Sequence, residues 1–122
     1  NSTFSGNSAT ATGGAVFAEL ATGTIESATF VANSALAGGA IWAGAAPMLR
    51  NVLIARNSAT EGPDVLGSVI SGGFNLVGNN AGSSGFGRAG DQVGTPTQPG
   101  TGCRPSAIRR GSARNGATGK RD

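Results

Sequence analysis

Large apolar residues in this chain arrive in short bursts separated by runs of Ala, Ser, Thr, Asn and Gly, and the bursts recur at a near-constant interval. Phe4-Ser5-Gly6-Asn7-Ser8-Ala9 returns as Phe30-Val31-Ala32-Asn33-Ser34-Ala35 and as Ile54-Ala55-Arg56-Asn57-Ser58-Ala59. A looser copy, Leu76-Val77-Gly78-Asn79-Asn80-Ala81, follows; the steps are 26, 24 and 22 residues. Gly13-Gly14-Ala15-Val16-Phe17 returns as Gly38-Gly39-Ala40-Ile41-Trp42 and, in degenerate form, as Gly62-Pro63-Asp64-Val65. Between these strings fall Ile25, Leu49 and Ile70. Each period therefore holds three apolar stretches too short for an ordinary helix, and glycine pairs interrupt any helical pattern once per period. Three short strands per period are predicted.

A period of this length is the mark of a stacked, coiled architecture. Length alone also fits a leucine-rich repeat, but the leucine ladder and the helical segment of that repeat are missing. The predicted fold is all-β, a parallel β-helix (solenoid) of about four coils of 22–26 residues over positions 1–94. Equivalent residues of successive coils then lie about 4.8 Å apart. Phe4, Phe30, Ile54 and Leu76 are expected to form one interior column, Val16, Ile41 and Val65 a second, and Ile25, Leu49 and Ile70 a third. Burying each such side chain contributes about 1.5–3 kcal/mol. No coil covers its own apolar face, so stacking makes the core. Asn7, Asn33, Asn57 and Asn79 are expected to form a polar ladder of stacked amides at a bend where Asn tolerates a left-handed backbone. The glycine pairs are assigned to the opposite corner, where positive φ costs them nothing. Both ends of the stack are expected to present unpaired strand edges, through which the isolated chain would self-associate.

Composition narrows the chemistry. Of 122 residues, 22 are Gly and only 12% are charged, about half the charged share of an ordinary soluble domain. There is no His and a single Cys, Cys103, so an internal disulfide and the usual zinc sites are excluded. The net charge of +3 is unevenly placed. Arg104, Arg109, Arg110, Arg114, Lys120 and Arg121 sit in the last stretch, whereas the body sets Arg50, Arg56 and Arg88 against Glu19, Glu26, Glu61, Asp64 and Asp91. Positions 95–122 are read as a low-complexity basic tail, expected to be disordered. No aromatic is interleaved with its arginines, so nucleic acid is not an expected partner. No apolar run is long enough to span a bilayer, and no signal-peptide pattern opens the chain. Because Asn1 falls mid-repeat, the chain is read as a fragment, with export signal or membrane anchor expected in flanking regions.

Phe17 and Trp42 follow the inward-facing Val16 and Ile41, so strand alternation places them outside as a stacked aromatic pair. They are the candidate ligand-facing residues; an aromatic ladder that merely covers the coil is the simpler reading. Glu61, Asp64 and Asp91 lie beside Gly and Pro and are read as turn residues. Arg56 is read as a solvated surface residue. Gly82-Ser83-Ser84-Gly85-Phe86-Gly87 lacks the Gly-Lys-Ser/Thr ending of a phosphate loop and is read as a linker. No catalytic, cofactor-binding or metal-ligating residue is assigned.

With Gly-Gly-Ala-Val (13–16), Gly-Gly-Ala-Ile (38–41), Phe-Ser-Gly-Asn (4–7) and Phe-Val-Ala-Asn (30–33), the chain resembles the polymorphic outer membrane protein repeats. Those repeats alternate a GGA string ending in Ile, Leu or Val with an FxxN string. Asn51 to Gly78, with Gly-Pro-Asp-Val (62–65) and Gly-Phe-Asn-Leu-Val-Gly (73–78), is similar to the end of bacterial surface proteins of the CSLREA and choice-of-anchor types. The resemblance covers about positions 1–94 and implies a right-handed β-helix, export and an adhesive role at the bacterial cell surface, toward a host or neighbouring-cell protein or glycan. It implies no catalytic residue. The alternative is a fragment of a pectate-lyase-like polysaccharide-degrading enzyme or of a carbohydrate-binding β-helix. Such enzymes cluster carboxylates for calcium beside a proton-accepting base, whereas the carboxylates here are scattered over different coils.

Overall fold

The computed structural model describes residues 1–20 and 23–95. Ten strands follow one another: β1 Ser2–Ser5, β2 Val16–Ala18, β3 Thr24–Val31, β4 Ile41–Ala43, β5 Met48–Ala55, β6 Val65–Ser68, β7 Ile70–Gly73, β8 Leu76–Val77, β9 Ser83–Ser84 and β10 Gln92–Val93. All pairings are parallel, and no helix occurs among the described residues. β1, β3, β5, β8 and β10 stack in one sheet, with β7 also against β5; β2, β4, β6 and β9 stack in the other. The chain is a β-solenoid of about three turns, closed by a shortened pass that brings Val93 under Val77. Apart from Thr95, the basic tail lies outside the described residues, as does Cys103.

Two of the three predicted strands per coil are fused. Ile25 and Phe30 lie on one continuous strand, β3, as Leu49 and Ile54 do on β5. A single left-handed residue, Ser27 (φ 54°) or Asn51 (φ 54°), bends each strand; the pairing skips that residue and resumes in the same register at Ala28 and Val52. The remaining stretch of each coil is held by isolated bridges, Ser8 to Ser34 to Ser58 and Thr12 to Ala37 to Glu61.

The interior columns stand where the repeat places them in the first three coils. Phe4 pairs with Phe30 and Phe30 with Ile54; Val16 pairs with Ile41 and Ile41 with Val65. The Phe4 and Phe30 rings stack at 4.8 Å with planes 5° apart, the inter-strand spacing itself. Phe30, Ile41, Leu49, Ile54 and Val65 are fully buried.

The fourth coil departs from the prediction because it carries a bulge. Leu49 pairs with Ser71, but Arg50 pairs with Gly73, so one extra residue enters the ladder at Gly72. Beyond the bulge every partner is displaced by one: Leu53 meets Leu76, and Ile54 meets Val77. Val77 therefore completes the Phe4–Phe30–Ile54 column, and Leu76 lies outside, half-buried. Ile70, which precedes the bulge, is also outside, above Met48 and 51% exposed, because Ser71 and not Ile70 stands over Leu49 in the interior place. A one-residue slip exchanges the two faces of a strand. Val77→Ser is thus expected to cost about 2–3 kcal/mol and Leu76→Ser less than about 1 kcal/mol. Chemical denaturation of the two variants checks this; equal losses would place the bulge elsewhere.

At the fourth-coil end the last described strands, β9 and β10, stand at the edges of the two sheets. Phe86, in the loop after β9, packs against the core, and β10 covers β8.

Candidate functional site

The asparagine ladder has a physical reason that the repeat did not reveal. Its left-handed residues are Gly6, Ala32 and Arg56, each one place before the asparagine. A left-handed residue swings the following N–H out of the sheet ladder, and a buried N–H requires an acceptor. The side chain one coil further on supplies it. Asn7 N donates to Asn33 Oδ1 at 2.9 Å, and Asn33 N to Asn57 Oδ1 at 2.8 Å. Each Nδ2 donates to the same oxygen, Asn7 to Asn33 at 2.9 Å and Asn33 to Asn57 at 3.0 Å. The second amide hydrogen returns to the coil before, from Asn33 to Phe4 O and from Asn57 to Phe30 O.

The ladder ends on a carboxylate rather than on Asn79. Asn57 Nδ2 and N donate to Asp64 Oδ1 at 2.8 and 3.3 Å, and Asn79 N donates to Asp64 Oδ2 at 2.8 Å. Asn79 turns its own side-chain oxygen to Ala81 N. The bulge moves Asn79 out of register with Asn57, and Asp64 has already taken the acceptor place. Asp64 sits in the bend after Gly62, as expected, but its side chain does more than form a turn. It occupies the interior position that Ala15 and Ala40 hold in earlier coils, 1% exposed. Burial pushes its carboxyl above the ordinary value, against the four hydrogen bonds that favour the ionised form.

Asp91 repeats the device. Asn75 N and Nδ2 donate to Asp91 Oδ1 at 2.9 and 3.1 Å, while Ser71 Oγ, Gly87 N and Arg88 N donate to Oδ2. Asn75 in turn donates to Leu49 O and accepts from Val52 N, the residue after left-handed Asn51. For Asp91 burial acts upward, but the bonds from Ser71, Asn75, Arg88 and Gly87 outweigh it and hold the carboxyl below its ordinary value. An Asp in a string whose earlier copies carry Ala was the signal for Asp64; no repeat position flags Asp91.

The carboxylates with buried partners are therefore consumed by the backbone. Glu26 pairs with Arg50 at 2.9 Å on the surface, an interaction worth about 0–1 kcal/mol. Among the described residues no group of three or more His, Cys, Asp and Glu lies together. Arg56 is exposed, as expected, and is one of the left-handed residues.

Phe17 and Trp42 do come together on the outer face. Their rings stack at 4.8 Å with planes 20° apart, and Leu66 continues the column in register below Trp42. Phe17 is 51% exposed. The indole lies over Gly44, where a Cβ would stand 2.8 Å from Cη2, so glycine lets the ring lie flat. Leu66 was missed because the third string is degenerate, although it too follows an inward-facing residue, Val65. The result is an apolar stripe three coils long, about 10 Å along the axis, with nothing of the core behind its exposed face. No protein family, no curated protein and no solved structure matches this chain.

Proposed function

We propose that this chain is a non-catalytic structural and adhesive module of a secreted or surface-displayed bacterial protein. The observation that carries the reading is the Phe17–Trp42–Leu66 stripe. Three large apolar side chains stack on the outside of the coil, where they add little to the core. Exposed aromatics clustered on a rigid scaffold are the usual anchors of a protein–protein or protein–glycan interface. Two further features support it. Asp64 and Asp91, the most engaged acids, serve backbone N–H groups, which leaves them no free oxygen aimed at a substrate. The GGA and FxxN strings carry the surface-protein resemblance.

Beads coated with the full chain are expected to be retained on an epithelial-cell monolayer, and the double variant Phe17→Ser, Trp42→Ser to lose retention at least about tenfold. Both positions lie outside the core, so the variant is expected to stay folded, with a loss of about 0.5–1.5 kcal/mol from the ring stack. Equal retention of variant and wild type would refute the role of the stripe. Release of unsaturated product from polygalacturonate with calcium would refute the non-catalytic reading in favour of a polysaccharide lyase.

A further inference from the structure

The bend of the six-stranded sheet is left-handed in three successive coils, at Ser27 in β3, Asn51 in β5 and Phe74 between β7 and β8, with φ of 54, 54 and 58°. The first two are small and polar, and Asn51 Nδ2 donates to Ser27 Oγ at 3.1 Å. Phe74 is out of character. A bulky side chain at positive φ is an outlier, where Asn or Gly would sit at ease. Nor does burial explain it: the residue is 67% exposed, and the ring lies against Gly90, where a Cβ would be 2.7 Å from Cε1. A strained residue that neither the bend nor the core requires points to a use outside the fold.

The ring borders a groove of about 310 Å³ whose lining includes Ser27, Thr29, Asn51, Leu53 and Leu76. That is within the range of small-ligand sites. The lining joins an aromatic face and two aliphatic side chains to hydroxyls and an amide. Asn1, Ala28 and Val52 complete the lining, and none of the lining side chains is charged. The nearest neighbours of the bend in sequence, Glu26 and Arg50, neutralise each other at 2.9 Å. A pyranose ring has the matching chemistry: a C–H face that stacks on an aromatic ring, and hydroxyls that exchange hydrogen bonds with amides and hydroxyls. We propose that this groove binds a neutral saccharide, with Phe74 as the stacking platform and Asn51 and Thr29 as hydroxyl partners. It lies on the six-stranded sheet, away from the Phe17–Trp42 stripe, and does not depend on the adhesive reading of that stripe.

The test titrates the full chain with neutral hexasaccharides (cello-, manno-, xylo- and chito-series) and with a galacturonate oligomer, by calorimetry. At least one neutral probe is expected to bind with a Kd of about 1 mM or tighter. Phe74→Asn, which suits the left-handed backbone, is expected to weaken it at least about tenfold while its unfolding midpoint stays at or above that of the wild type. Phe74→Tyr is expected to retain binding, and Trp42→Ser to leave it unchanged. The proposal is overturned if no neutral probe binds, if only the acidic one does, or if Phe74→Asn binds as tightly as the wild type. Loss of binding in Trp42→Ser instead would move the site to the stripe and overturn it equally.

Discussion

Replacing Asp64 by alanine is expected to lower the unfolding free energy by about 4 kcal/mol, because it strands several buried donors at once. Asn57 Nδ2, Asn57 N and Asn79 N all end on this carboxylate, and Asn57 is itself the acceptor for the amide and N–H of Asn33. Removing the last acceptor leaves the final rung of the ladder donating to nothing. Asp64→Asn is expected to lose roughly half as much: its oxygen can still receive Asn57, but its amide turns a donor toward the donor Asn79 N. Against a typical domain stability of roughly 5–15 kcal/mol, the alanine loss is a large share. Denaturant titration measures it, and a change below about 1 kcal/mol would show that water replaces the carboxylate without cost.

The same group sets an expected pH dependence. The folded-state carboxyl of Asp64 is raised above its ordinary 3.8. The native state therefore holds this proton more tightly than the unfolded chain, and stability falls as pH climbs from the ordinary value through the raised one. Asp91 is lowered from 3.8, so its contribution is present above that value and is lost as pH falls through the lowered one. Together these two groups favour a stability maximum in the acidic range, close to the ordinary carboxyl value. In Asp64→Asn the decline on the alkaline side of that maximum is expected to vanish while the acidic limb remains. An unchanged alkaline limb would assign the titration to another group.

Gly39→Ala is the second substitution with a large expected effect, a loss of about 3 kcal/mol or more. Gly39 is buried, and its Cα faces the next coil. An added methyl would run into the carbonyl oxygen of Pro63 and stand 2.7 Å from Ser58 O and 2.8 Å from Ser58 N. All three atoms are backbone and cannot turn aside. The coils would have to part, and the bond from Gly39 N to Gly62 O, 3.0 Å, lies on that seam. Gly14 meets the backbone of Gly39 and Ser34 in the same way. Gly23 is the control: a Cβ there has nothing within 4 Å, and Gly23→Ala is expected to stay within about 0.5 kcal/mol of the wild type. Thermal or denaturant unfolding separates the two; similar behaviour would show that the coil spacing is not set by the second glycine of the pair.

These expectations also show how the roles within each string divide. Of the glycine pair, the first residue carries the left-handed turn, with φ of 65° at Gly13 and 68° at Gly38. The second allows the close approach of coils. In the third copy the second place is Pro63, and the carbonyl of that proline is what Gly39 must accommodate. The FxxN string divides similarly: its third residue bends the chain, and its asparagine serves the N–H that the bend displaces.

The solenoid itself was legible in the sequence, because a stacked coil repeats its side-chain requirements at every turn. Like had to cover like in the columns of Phe4, Phe30 and Ile54 and of Val16, Ile41 and Val65, and in the outward pairing of Phe17 with Trp42. Three copies in step are enough to read that periodicity without coordinates. The fourth coil was not legible, since a single extra residue at Gly72 leaves the composition unchanged while exchanging the inner and outer faces of everything after it. Leu76 and Asn79 were placed by counting, and counting fails at a bulge; Ile70 lies before the bulge and was misplaced by one because Ser71, a small polar residue, takes the place over Leu49. Only the tertiary structure decided that Asp64 and Asp91 close the ladders, because a carboxylate's partners there are backbone N–H groups, and those carry no sequence signature. For the same reason the groove beside Phe74 depends on a backbone angle and on three coils lying together, neither of which is written in the order of residues.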